Sequence, residues 1–185
     1  MNKELYQIAV ENCESVYKKN TDLGTTEFNT SYASFGNSYI QILSIAGTNE
    51  PMDWVKNLNI WSKRGIKKSA YNSAHEINQH FEREIKYKLL VTGHSKAGAT
   101  AIAYKKLFGA EYCIAFAPAR SLRYWSNRKM NNTTIFIDPD DPVSKVGFIS
   151  FGHPACKIIT GDDHVGLDLS DHSIGHWIEF VEQLE

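Results

Sequence analysis

Lys88-Leu89-Leu90-Val91-Thr92-Gly93-His94-Ser95-Lys96-Ala97-Gly98-Ala99 is the stretch on which the reading of this chain turns. Its first five residues form a short apolar run that reads as a buried strand, and Gly93-His94-Ser95 then turns the chain. Ala97, Ala101, Ile102 and Leu107 follow at helical spacing as far as Gly109, a helix-ending residue. A serine on a tight strand-to-helix turn has its hydroxyl lifted above the sheet, where a substrate can reach it. Strand and helix nearly touch at such a turn, so small residues are needed on both sides of the serine. The usual spacing is G-x-S-x-G; here Ala97 replaces the second glycine and Gly98 comes next.

Further strands lie downstream. Tyr112-Cys113-Ile114-Ala115-Phe116 and Thr133-Thr134-Ile135-Phe136-Ile137 are apolar runs of strand length. Upstream, Leu5, Ile8, Ala9, Cys13 and Val16 predict an amphipathic helix over 3–19, and Ala70, Ala74, Ile77, Phe81 and Ile85 predict another of about four turns. Phe28 to Phe35 alternates and stops at Gly36-Asn37, and Tyr39 to Ile45 follows as a more apolar strand, which together suggest a hairpin. A last helix is expected from Ile174 to about Leu184, with Trp177, Ile178 and Val181 facing inward. Strand–helix–strand alternation through the middle implies a mostly parallel central sheet with helices on both faces and right-handed crossovers.

Composition sets the outer limits. The 185 residues suit a single domain, and 42% hydrophobic content is that of a soluble globular protein. A net charge of −1 gives no large field toward nucleic acid or an anionic membrane, so no nucleic-acid partner is expected. Three cysteines (Cys13, Cys113 and Cys156) are too few and odd in number for a disulfide framework and point to reduced thiols. The first residues hold no apolar signal-peptide core, and no stretch approaches the roughly 20 apolar residues of a membrane span, so a cytoplasmic location is expected.

A serine hydroxyl is a poor nucleophile, so a base and an orienting acid must converge on Ser95. In a sheet of this kind they should follow in the order Asp, then His. Asp138-Pro139-Asp140-Asp141-Pro142-Val143 follows the strand ending at Ile137, and Asp171-His172-Ser173 precedes the last helix. His75 and His80 are five apart, which is wrong for a zinc helix, and His153, Asp162, Asp163 and His164 show no ligand pattern. Gly93 to Gly98 has the glycine spacing of a phosphate loop, yet Ala99 stands where that motif needs lysine.

Four blocks in this order resemble the class 3 lipase family, with its small bacterial and viral relatives. Ala46-Gly47-Thr48 with Asp53-Trp54-Val55-Lys56-Asn57-Leu58 is similar to the family's Gly-Thr and Asp-Trp-x-x-(Asp/Asn)-Leu segment. Gly93-His94-Ser95-Lys96-Ala97-Gly98-Ala99 is similar to its G-H-S-x-G-G-A elbow. Asp141-Pro142-Val143 resembles its D-x-V acid loop, and His172 with Trp177 its histidine followed by an aromatic residue. The resemblance spans most of residues 39–184. It implies a three-layer α/β-hydrolase fold and a serine hydrolase of carboxylic esters working through an acyl-enzyme. It makes Ser95 the nucleophile, Asp141 the acid and His172 the base, with Thr48 and the Lys96 N–H in the oxyanion hole. Asp53 and Trp54 are structural on this reading.

His176 competes with His172, but His172 precedes the helix, where a loop can aim it. No cofactor or metal is implied; the expected partner is a small ester or lipid, with transient membrane-surface contact allowed. Only Asn49-Glu50-Pro51-Met52 separates Thr48 from Asp53, too short for an apolar lid, which favours smaller or more soluble esters. Residues 119–132 are the other segment able to cover Ser95. Thioesterase, acyltransferase and peptidase chemistry use the same constellation. The rival from another class is a catalytically silent binding or scaffold protein with the same fold. Lys96, where lipases commonly carry leucine, could attract an anionic group of a substrate.

Overall fold

Leu89, Leu90 and Val91 are all fully buried, because their strand has a neighbour on each side and helices on both faces. This is why the stretch lacks polar–apolar alternation. The computed structural model describes residues 3–19, 27–46, 62–123, 129–139, 141, 143, 151–161 and 173–184. In chain order these hold α1 (Lys3–Lys19), β1 (Phe28–Phe35), β2 (Ser38–Ile45), β3 (Ser62–Lys63), β4 (Ile66–Lys67) and α2 (Lys68–His80). Next come β5 (Lys88–His94), α3 (Lys96–Phe108), β6 (Tyr112–Phe116), β7 (Leu122–Arg123), β8 (Lys129–Ile137), β9 (Phe151–Gly152), β10 (Ala155–Thr160) and α4 (Ile174–Gln183).

The main sheet has the order β1-β2-β5-β6-β8-β10. β1 and β2 form the expected antiparallel hairpin, and every other pairing is parallel. Side-chain alternation divides the core in two. Ile40, Ile42, Leu90, Ile114, Phe116 and Phe136 pack on one face against α1 and α4. Leu43, Ile45, Leu89, Val91, Ala115 and Ile135 pack on the other against α2 and α3. The three-layer α/β-hydrolase architecture expected from the sequence is therefore present.

Cys13 and Cys113 are buried thiols, pushed up to about 12 by burial, and burial pushes Cys156 to about 11. None of the three is in a disulfide. Among the described residues no helix is long and apolar enough to cross a membrane, and no group of acidic, His and Cys side chains is placed to hold a metal ion.

Three expectations need correction. The helix drawn through Ile85 ends at His80, where Phe81 turns extended at φ −83°, ψ 121°, and Ile85 is 95% exposed. The third buried strand starts at Lys129 rather than Thr133. A second sheet, β3-β4-β7-β9, and the edge strand β10 were not anticipated. Strands two residues long carry no periodicity, and the β10 pattern is mostly exposed, including Ile158 at 49%.

Candidate active site

Ser95 sits where β5 gives way to α3, with φ 59° and ψ −126°. A non-glycine residue adopts that conformation only when its surroundings impose it, at a cost of about 1–3 kcal/mol. Here the constraints come from both sides. The Ser95 N–H donates to the Phe116 carbonyl at 2.9 Å, holding the turn to the neighbouring strand, and the Ser95 carbonyl accepts from Ala99 N at 3.3 Å. The serine is 8% exposed.

The close approach of strand and helix falls on two glycines. A Cβ on Gly93 would lie 2.7 Å from both the carbonyl carbon and oxygen of Ala97. One on Gly98 would lie 3.0 Å from the Gly93 oxygen and 3.0 Å from Pro118 Cβ. Ala97 itself is 2% exposed and packed in the core, so the glycine that the contact requires is Gly98. Because the atoms met by Gly93 are backbone, Gly93→Ala should destabilise the fold by about 3 kcal/mol. A lowered urea midpoint at unchanged slope is the expected readout, and a midpoint equal to the wild type would refute this packing.

The two helix-terminal features favour negative charge above Ser95. Lys96 is the first residue of α3, and the first N–H groups of a helix have no partner inside it. The first turn of α3 carries no acidic residue, so the positive end of its dipole is not neutralised there. His94, just before the serine, is 5% exposed, and its Nδ1 lies 3.1 Å from the Tyr17 hydroxyl of α1. Tyr17 was not legible as a site residue, since its contact to His94 spans 77 positions.

Asp141 follows β8, two strands along from β5, on the same carboxyl edge of the sheet. Its side chain is 0% exposed, and its Oδ1 accepts the Val143 N–H at 2.7 Å. Val143 is itself buried in the core, which anchors the loop. Asp138, also 0% exposed, lies with its Oδ2 3.5 Å from His176 Nε2. A Cβ on Gly161 would meet that Oδ2 at 3.0 Å, so the missing side chain leaves room for the pair. His176 also stacks on Phe180, and its Nε2 faces Asp138 Oδ2 at 3.5 Å without a hydrogen bond between the two.

Thr48 and His172 lie outside the described residues. The neighbour of His172, Ser173, caps α4 by accepting the His176 N–H on its Oγ at 3.2 Å. The segment 49–52 also lies outside, as do residues 124–128 of the second possible cover. Within that cover Leu122-Arg123 is not helical but pairs with β4 and β9. A cleft of about 510 Å³ beside Asn132, Thr133, Cys156 and Lys157 opens at the amino end of β8, the opposite edge from Ser95.

No protein-family model matches this chain, and no curated protein matches it in sequence. Solved structures do match in fold. Lip2 lipase from Yarrowia lipolytica aligns with a TM-score of 0.58 at 13% identity, over 86% of this chain and 78% of the lipase. A deletion mutant of the Rhizomucor miehei lipase–propeptide complex aligns with a TM-score of 0.58 at 16% identity, over 98% of this chain and 77% of the other. Lipase II from Rhizopus niveus gives 0.53 at 16% identity, over 85% and 78%. The chain thus has the α/β-hydrolase fold of fungal lipases.

Proposed function

We propose that this protein is a serine hydrolase of carboxylic esters, with Ser95 as nucleophile, His172 as base and Asp141 as acid. The observation that carries the reading is the backbone of Ser95. A serine held at φ 59° on the carboxyl edge of a parallel sheet, directly before a helix, has a costly conformation with a chemical use. The buried carboxylate of Asp141 on the same edge supports it.

In the reaction Ser95 Oγ attacks the ester carbonyl carbon while His172 accepts the hydroxyl proton. Negative charge develops on the carbonyl oxygen. The Lys96 N–H and Thr48 stabilise it, each such donor being worth about 3–4 kcal/mol. The acyl–oxygen bond then breaks, and the alcohol leaves with the proton from His172. Water, deprotonated by His172, attacks the acyl-enzyme, releases the acid and restores Ser95. Asp141 holds the imidazole in the tautomer that accepts from serine and steadies its positive form. Asp138 and His176 brace the root of the acid loop against α4. No metal or cofactor enters these steps.

A series of p-nitrophenyl esters of increasing acyl length tests this directly. Wild-type protein should release p-nitrophenol with saturation kinetics, and Ser95→Ala protein should not exceed the background rate. Equal rates from both would refute the assignment.

A further inference from the structure

We propose that Tyr17 is a positioning residue for the nucleophile: its hydroxyl holds His94 and the peptide joining His94 to Ser95, and so sets the aim of the Ser95 hydroxyl. The inference rests on the hydrolase reading and adds to it a residue of α1 that acts through His94.

The contact follows from two matching periods. Ala9, Cys13 and Tyr17 are four apart and share one stripe of α1. Thr92 and His94 are two apart and share one face of β5. Four helical residues rise about 6 Å and two strand residues about 6.7 Å, so stripe and strand stay in step. Two rungs result. At the first, Thr92 Oγ1 lies 3.1 Å from Cys13 Sγ and donates to the Ala9 carbonyl at 3.5 Å. One turn further on, the Tyr17 hydroxyl lies 3.1 Å from His94 Nδ1 and reaches the His94 carbonyl at 3.5 Å. The two rings meet edge-on, with centroids 5.7 Å apart.

The peptide between His94 and Ser95 is a rigid plane, and its orientation is one side of the Ser95 φ torsion. Its N–H belongs to Ser95 and donates to the Phe116 carbonyl at 2.9 Å. Its carbonyl belongs to His94 and faces the Tyr17 hydroxyl, which also holds the His94 ring. One plane is thus tied to β6 at one end and to α1 at the other. Such a double tie suits a serine at φ 59°, a value that a residue with a side chain keeps only under constraint. Without the Tyr17 hydroxyl the plane keeps its bond to Phe116 and can rock about it, carrying Ser95 Oγ along. Attack requires the reacting atoms within about 3–3.5 Å in the right line, so a small swing slows the chemistry.

The test compares two tyrosines of the same helix. Tyr17→Phe keeps the ring and removes the hydroxyl at His94. Tyr6→Phe removes one that lies 3.4 Å from Thr134 Oγ1 and accepts from Lys157 Nζ at 3.0 Å, away from Ser95. Each protein is labelled with excess fluorophosphonate, and kcat and KM are measured on p-nitrophenyl butyrate. Rates are taken per chain labelled at completion, so a loss of folded protein does not imitate slower chemistry. Tyr17→Phe should label about tenfold more slowly than wild type and lose a similar factor in kcat. Its KM should stay within about twofold, because the substrate contacts are intact. Tyr6→Phe should label and turn over at wild-type rates, even where its urea midpoint falls. Equal slowing by both variants, or an unchanged rate per labelled chain in Tyr17→Phe whatever its endpoint, would make Tyr17 merely structural. Either result would overturn the proposal and leave ester hydrolysis standing. A folded wild type that neither labels nor hydrolyses the ester would remove the hydrolase reading, and the proposal with it.

Discussion

Ser95→Ala is expected to lower kcat by roughly 10⁴–10⁶, His172→Ala by a similar factor, and the double variant hardly further. The non-additivity carries the meaning. A base is useful only while there is a hydroxyl to deprotonate, so removing either partner removes the whole proton transfer. Independent contributions would multiply, and a double variant slower by the product of the two factors would contradict a working unit. Residual rates above water are expected in all three variants, because the Lys96 N–H is a backbone donor that none of them removes. His176→Ala serves as the contrast. Its imidazole faces Asp138 at 3.5 Å and stacks on Phe180, so its loss should act through stability and positioning, with a much smaller drop than that of His172→Ala.

Trp177→Ala is expected to produce the largest loss of stability, about 3–5 kcal/mol, and a fall in Tm on the order of 10 °C. Trp177 is 0% exposed and lies among four aromatic rings. Its ring centroid is 6.4 Å from Phe116, 5.9 Å from Phe136, 5.7 Å from Phe180 and 5.0 Å from His176. Removing it leaves a cavity between α4 and the sheet that rigid strand residues cannot close. Trp177→Phe should cost far less, since the indole Nε1 has no partner among the described residues and no hydrogen bond is lost. Activity should fall with Trp177→Ala as well, because α4 begins two residues after His172. Urea unfolding measures the first effect; an unchanged midpoint would mean that α4 is not held by this ring.

The elbow was legible because its causes are local. Strand, turn and helix succeed one another without interruption from Lys88 to Phe108, and the tight turn needs small residues at fixed positions. Which glycine was required was less legible: the spacing singled out position 97, whereas the contact with Pro118 falls on Gly98. The overextended α2 has a definite physical source. Phe81 keeps the helical period because its ring is buried against Phe28 and Tyr104, although its backbone has already become extended. Apolar spacing reports where side chains go, and here the backbone had left the helix. Tyr17 beside His94 arises from packing between distant segments. No single-sequence pattern carries it.

Asp141 and Asp138 show the same boundary. The acid loop was legible as a loop with several carboxylates, and the family pattern selected Asp141. The burial of both carboxylates and the approach of His176 to Asp138 emerge only from the packing of distant segments.

Labelling by a fluorophosphonate, followed by mass analysis of the digested protein, tests the nucleophile most directly. The reagent phosphonylates an activated serine and needs no knowledge of the natural ester. Folded wild-type protein should take up one probe per chain, on the peptide that contains Ser95, and Ser95→Ala protein should take up none. A well-folded wild type that resists the probe, or that carries it on another residue, would contradict the assignment of Ser95.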